Sequence, residues 1–264
     1  DGTIAFNNGE IHRTISLTED LDFAGVDWTP IGVMRFTVEG NGHTISNLTI
    51  SAASPMGAGL FGCASGTENG EARIGNFTLE NITVSGFYLV GGAVGLQFMN
   101  CKVSDITLRG ENQLSGAQGI GGIVGTGFDL ISNCTATANI TVLSDDGACA
   151  GLIAGGTTMS PIVNCEAVGG SIVAEGNAAW GFGAICGAPW GAAEISGCRV
   201  NGTSITVSGE RNRLVGGLVG FGGTYDPTAP AQITGCAVED VFITVSETTT
   251  AVGGLIGGGK EMME

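Results

Sequence analysis

Apolar residues in this chain alternate with polar ones in short runs, and the runs return at a regular interval. The clearest phrase is Val215-Gly216-Gly217-Leu218-Val219-Gly220, which recurs as VGGAVG at 90–95, IGGIVG at 120–125 and VGGLIG at 252–257. Looser copies read AGLFG at 58–62, AGLIA at 150–154 and GAICG at 183–187. The closing residues Gly62, Gly95, Gly125, Ala154, Gly187, Gly220 and Gly257 fall 29 to 37 residues apart. A period of this size marks a repeat architecture, in which each unit buries its apolar face against its neighbours.

Two further columns appear when the copies are aligned. The first holds Leu48, Phe77, Cys101, Cys134, Cys165, Cys198 and Cys236, each followed two places on by an apolar residue with a mostly polar one between. The second holds Ile82, Ile106, Ile140, Ile172, Ile205 and Ile243, followed by Thr83, Thr107, Thr141, Val173, Thr206 and Thr244. Both alternate as half-buried strands do. Immediately before the first column stand Asn47, Asn76, Asn100, Asn133, Asn164, Gly197 and Gly235. Asn and Gly are the residues that most readily take positive φ, so their interchange predicts a left-handed corner.

The glycine phrase supplies a third strand, and no helical periodicity competes. The pattern predicts an all-β fold: a single-stranded right-handed parallel β-helix, a solenoid with three strands per coil stacked about 4.8 Å apart. One difficulty follows from a flat third strand. If Leu60, Ala93, Ile123, Leu152, Ile185, Leu218 and Leu255 point inward, then Phe61, Val94, Val124, Ile153, Cys186, Val219 and Ile256 point outward. Such an apolar third-strand face needs a cover, either the chain's own loops or an associating partner.

The GGLVG phrase, the Asn-Cys or Gly-Cys corner and the ITV strand together resemble the GLUG repeats of bacterial surface proteins. LTEDLDFAGVDWTPIG and GNGHTISNLTI look like the segment that introduces such repeats. The resemblance covers nearly the whole chain. It implies a parallel β-helix on an exported or cell-surface protein, adhesin-like, and in some cases an accessory region of a larger enzyme such as an immunoglobulin A peptidase. The zinc-peptidase pattern HExxH is absent, so that activity is not carried over. Residues 1–57 are expected to form an N-terminal cap and first coil, with Trp28 over the open end of the core. Residues 58–264 are expected to form the GLUG-repeat coils of one continuous domain, a fragment of a longer protein.

Composition narrows the partners. The 48 glycines accompany 43% hydrophobic residues and a mean hydropathy of +0.32, too apolar for a disordered linker. The formal charge of −16 argues against nucleic acid and against an anionic membrane surface. No apolar run approaches the roughly 18 residues of a spanning helix, so no membrane insertion is expected in this segment.

The candidate chemistry is sparse. Five cysteines share one inward column, which predicts buried free thiols rather than disulfides. With no CxxC and only His12 and His43, neither a metal site nor another cofactor is expected; Asp145-Asp146 and Asp226 are the one Ca²⁺ possibility. The Thr column invites comparison with an ice-matching face, but the neighbouring outward positions are too uneven for a lattice. Carboxylates are scattered over different coils, so no catalytic residues are assigned and the chain is expected not to be an enzyme. The alternative is a carbohydrate-active β-helix enzyme, a polysaccharide lyase or glycoside hydrolase, or its accessory domain. Trp180 and Trp190 bracket the fifth glycine phrase, and Tyr225 lies in the loop at 221–232. These aromatics either cover the apolar strand beneath them or present their faces to sugar rings. The expected role is an extracellular structural or adhesive module of a bacterial surface protein, with a glycan or a surface protein as partner.

Overall fold

A computed structural model describes residues 2–7, 10–52, 57–67, 70–144, 147–175, 180–191, 193–209, 213–222, 232–246 and 251–258 of the 264, with side chains from residue 13 onward. Among these residues there is no helix. One antiparallel hairpin, Gly2–Asn7 against Glu10–Ser16, starts the chain, and the remaining strands pair in parallel with their equivalents one coil away. They build sheets of fifteen, seven, six and eight strands among the described residues. The expected parallel β-helix is the fold observed.

One coil shows the pattern. Ile131–Ser132 turns at Asn133 into Thr135–Ala136, and a second turn leads to Asn139–Val142. A loop then leads to Cys149–Gly151 and, after a bend, to Ala154–Thr158. The first side is therefore kinked at the Asn corner, the second is a plain strand, and the third is the glycine phrase. All seven expected corner residues have positive φ: 57° at Asn47, 59° at Asn76, 58° at Asn100, 54° at Asn133 and Asn164, 65° at Gly197 and 63° at Gly235.

They do not all share one column. Ala72–Glu80 and Cys101–Arg109 are nine-residue strands that run straight through the corner. Their pairing places Asp105, at φ 57°, beside Asn76 and Asn133. Cys101 pairs with Ala72 and leaves the thiol column, which runs Phe77, Ile106, Cys134, Cys165, Cys198, Cys236. Leu48 falls outside it too, one residue before the Thr49–Thr83 pair. The second column likewise reads Val84, Leu114, Ile140, Ile172, Ile205, Ile243, so Ile82 and Ile106 drop out of it. Thr83 and Thr107 leave the Thr column, which continues upward from Thr141 as Ser115 and Ser85. The displacement arises because apolar residues alternate on both sides of the corner, and in that coil the corner residue is Asp.

Asp105 suits the left-handed site because its carboxylate is held by neighbours. Arg73 Nη2 lies 2.7 Å from one oxygen and Asn133 Nδ2 3.2 Å from the other. Burial would raise its pKa, but hydrogen bonds from Ser104, Arg73 and Asn133 and the Arg73 charge outweigh it and leave the carboxyl below its ordinary range. All eight cysteines are free thiols. Cys134 donates to the Ser132 carbonyl at 3.2 Å and Cys198 to the carbonyls of Ile162 and Ser196 at 3.5 Å, so the stacked thiols are satisfied within the core.

The glycine phrase is a bend rather than one flat strand. Arg213–Gly216 belongs to the six-stranded sheet and Val219–Phe221 to the eight-stranded sheet, with Gly217-Leu218 turning between them. Alternation does not run through a bend, and Val215, Leu218 and Val219 all join one buried cluster. Phe61, Val94, Val124, Ile153, Cys186 and Val219 are at most 4% exposed, and only Ile256 in the last described coil reaches 41%. The apolar third-strand face expected to need a cover of loops or a partner is instead buried within the chain's own sheets along most of its length. Register also corrects the fourth copy. Ala154 pairs with Val124 and Cys186, so the phrase is AGLIAG at 150–155 and closes on Gly155. At the N-terminal side Trp28 packs on the main cluster, donates Nε1–H to the Leu60 carbonyl at 3.0 Å and meets Phe23 edge-on at 5.2 Å.

Candidate functional site

The loops between the second side and the glycine phrase leave the solenoid at one corner, coil after coil. Backbone pairing stacks them: Ala117 N–H donates to Phe87 O, Gly119 N–H to Tyr88 O and Cys149 N–H to Gln118 O. Trp180 opens the next strand of the same sheet, Trp180–Gly183. It is held at φ +103°, a conformation side-chain-bearing residues rarely adopt. Trp190 ends the strand Cys186–Trp190 on the facing sheet.

The two indoles meet with ring centroids 4.8 Å apart at 60°, and Trp190 continues to Phe221 at 5.1 Å. A Cβ added at Gly147 would sit 3.1 Å from Trp180 Nε1, so the indole lies against the Gly147 backbone. Trp190 also packs on a small second apolar cluster of Ala188, Leu214 and Phe221, separate from the main core. Trp190 thus covers apolar structure beneath it, Trp180 leans on Trp190, and both remain partly exposed.

That exposed part lines a groove of about 540 Å³. Phe87, Leu89, Ala117, Gln118, Gly119, Ser144, Gly147, Ala148 and Cys149 come from the stacked loops, and Thr126 and Trp190 from the facing sheet. Phe87 is 57% exposed and braced edge-on by Tyr88 at 4.7 Å. No carboxylate, lysine or arginine is among the described lining residues. Among the described lining residues the titratable group is Cys149, whose thiol burial pushes up to about 12, keeping it protonated at neutral pH. Those residues form a neutral aromatic surface with amide and hydroxyl groups set into it. It can stack and hydrogen-bond a ligand, and its described residues offer no acid–base pair.

The structure brings Trp180 and Trp190 together. Tyr225 lies outside the described residues, as do Asp145, Asp146 and Asp226, the Ca²⁺ candidates. Among the described residues no cluster of three metal-ligating side chains occurs. Phe87 and Tyr88 had escaped notice in the sequence. They precede the second glycine phrase as Trp180 precedes the fifth, and aligning the loops as well as the strands would have found them.

The fold is a parallel β-solenoid that turns on this phrase coil after coil. Residues 116–141 match the GLUG motif family. Over 97 residues, 37% of this chain, the sequence is 38% identical to halomucin from Haloquadratum walsbyi, and the matched span is 1% of that protein's length. The fold is similar to that of a candidate immunoglobulin A1 protease from Bacteroides ovatus, with a TM-score of 0.68 and 21% identity, covering 94% of this chain and 77% of the other. At that identity the likeness is one of fold.

Proposed function

We propose that this chain is a β-solenoid module of an extracellular or cell-surface protein, and that its aromatic groove binds carbohydrate. The GLUG motif and the similarity to halomucin support the surface placement. One observation carries the ligand class. Two indoles and a phenyl ring line a groove whose described residues carry no ionised group, in a chain of net charge −16. Aromatic faces take the C–H faces of sugar rings, and amides and hydroxyls orient their hydroxyl groups.

A glycan array probed with the parent protein and with Trp180→Ala and Trp190→Ala tests this. Binding by the parent and at least a tenfold loss in either variant is the expected result; a parent that binds no glycan removes the groove from the proposal and leaves a structural module. Turnover is the competing reading, and the lining residues do not favour it. New reducing ends or unsaturated products released from polyuronides or host glycans would transfer the proposal to a carbohydrate-active enzyme.

A further inference from the structure

We infer that the groove takes an uncharged, extended oligosaccharide about four rings long, laid parallel to the solenoid axis. This rests on the carbohydrate reading above and adds direction, length and charge to it. The register sets the direction. Leu89, Gly119 and Cys149 occupy equivalent positions in three successive coils, and Ala150 pairs with Phe182 in the next. Phe87 and Trp180 therefore stand at opposite ends of the groove, three coils apart, or about 14 Å at the usual strand spacing of about 4.8 Å.

Each end is an aromatic pair: Phe87 with Tyr88, and Trp180 with Trp190. Between them lie the hydrogen-bonding side chains of Gln118, Thr126 and Ser144 over a floor of small residues. A β-1,4-linked pyranose advances along its chain by much the same distance as one coil. Rings one and four then fall on the two aromatic pairs, while the middle rings face the amide and hydroxyls. The charge follows from the setting. An acid sugar would meet no cation among the described lining residues, and the field of a chain carrying −16 would oppose its approach.

Titration calorimetry of the intact chain with cello-, manno- and chito-oligosaccharides of one to six units, and with oligogalacturonides, tests the inference. Affinity should climb with length to four units and then level off, and oligogalacturonides should bind more weakly. Phe87→Ala removes a side chain more than half exposed, so the fold should stand. This variant should lower the tetramer's affinity about tenfold, the order of one aromatic contact, and leave a dimer that binds at the tryptophan end unchanged. Three results overturn it: affinity already at its plateau with one or two units, equal binding of the acidic series, or indifference to Phe87→Ala. In each of these cases sugar binding that is lost in Trp190→Ala keeps the carbohydrate reading intact. Absence of binding by every sugar defeats both.

Discussion

Gly155 offers the sharpest test of the packing. In register every copy of the phrase closes on glycine: Gly62, Gly95, Gly125, Gly155, Gly187, Gly220 and Gly257. A Cβ at position 155 would lie 2.4 Å from Ile120 N and 2.7 Å from both Gly119 C and Gly125 O. Comfortable non-bonded contacts need about 3.5 Å, so all three are short by close to 1 Å. Every opposing atom is backbone and fixed in a ladder, so no side chain can swing aside and the two sheets must part locally. Overpacking of this kind costs about 1–3 kcal/mol, and with no soft neighbour Gly155→Ala belongs at the upper end, about 3 kcal/mol. Gly254→Ala is the matched control. It stands at the third position of the last phrase, where Leu152 and Ala184 occupy the equivalent sites, and no described residue lies within 4 Å of its added Cβ. Its effect should stay within about 0.5 kcal/mol. Urea denaturation followed by far-ultraviolet circular dichroism reads both as shifts in midpoint at an unchanged slope. An unshifted Gly155→Ala, or an equal loss in Gly254→Ala, would refute close sheet contact as the reason for the glycine.

Urea denaturation also checks the corner and the Trp28 hydrogen bond, and melting and alkylation check the thiols. Asn164 sits at φ 54°, so Asn164→Ala should cost about 1–2 kcal/mol while Asn164→Gly stays near the parent, Gly197 and Gly235 already filling that corner. Trp28→Phe keeps the ring but loses the bond to Leu60 O, and should lower stability by about 1 kcal/mol. Burial, with the Asp129 carboxylate adding to it, pushes the Cys101 thiol up to about 12, and burial alone does the same to Cys149. Folding favours their neutral form, so that contribution is complete below the ordinary thiol value of 9.0 and is lost as pH rises from there towards 12. The melting temperature should fall across that window, and Cys101→Ala should flatten the fall. In the folded protein at neutral pH, alkylating reagents should leave Cys134, Cys165 and Cys198 untouched, because they are at most 1% exposed.

Much of the fold was legible because the solenoid repeats its demands. Strand alternation and the Asn or Gly corner recur in coil after coil, and each expected corner residue does take positive φ. Legibility failed where one coil departs from its neighbours. Asp105 fills the corner as Asn does, but with its charge met by Arg73, and Cys101 begins a run whose alternation resembles the true column five residues later. Single-sequence alignment on Cys and Ile therefore slipped there. The phrase misled in a different way. Two adjacent buried residues, Leu218 and Val219, contradict a flat strand, and the contradiction was itself the signal of a bend. Trp180 and Trp190 were legible as a pair because they flank one phrase at equal remove. Phe87 joins them only through stacking across three coils, which no local pattern states.

The bend also accounts for the groove's location. At the phrase, glycines let the six- and eight-stranded sheets approach backbone to backbone; away from it, facing side chains decide whether the space between the sheets fills. In the coil of Leu214 and Phe221 it fills, and the two residues join Ala188 in the second apolar cluster. Two and three coils earlier the facing residues are small. A Cβ on Gly119 would already lie 2.6 Å from Thr126 Oγ1, and one on Gly156 3.3 Å from Cys149 Sγ. There the sheets stay close without filling the space toward the loops, so a shallow neutral trough remains. Its ends are set by the coils that carry bulk, Phe87 with Leu89 on one side and the indole pair on the other. The trough is thus a local failure to fill an interface that the repeat fills elsewhere. Substitutions that supply the missing volume, such as Ser144→Trp, should close it without disturbing the glycine contact that holds the sheets together.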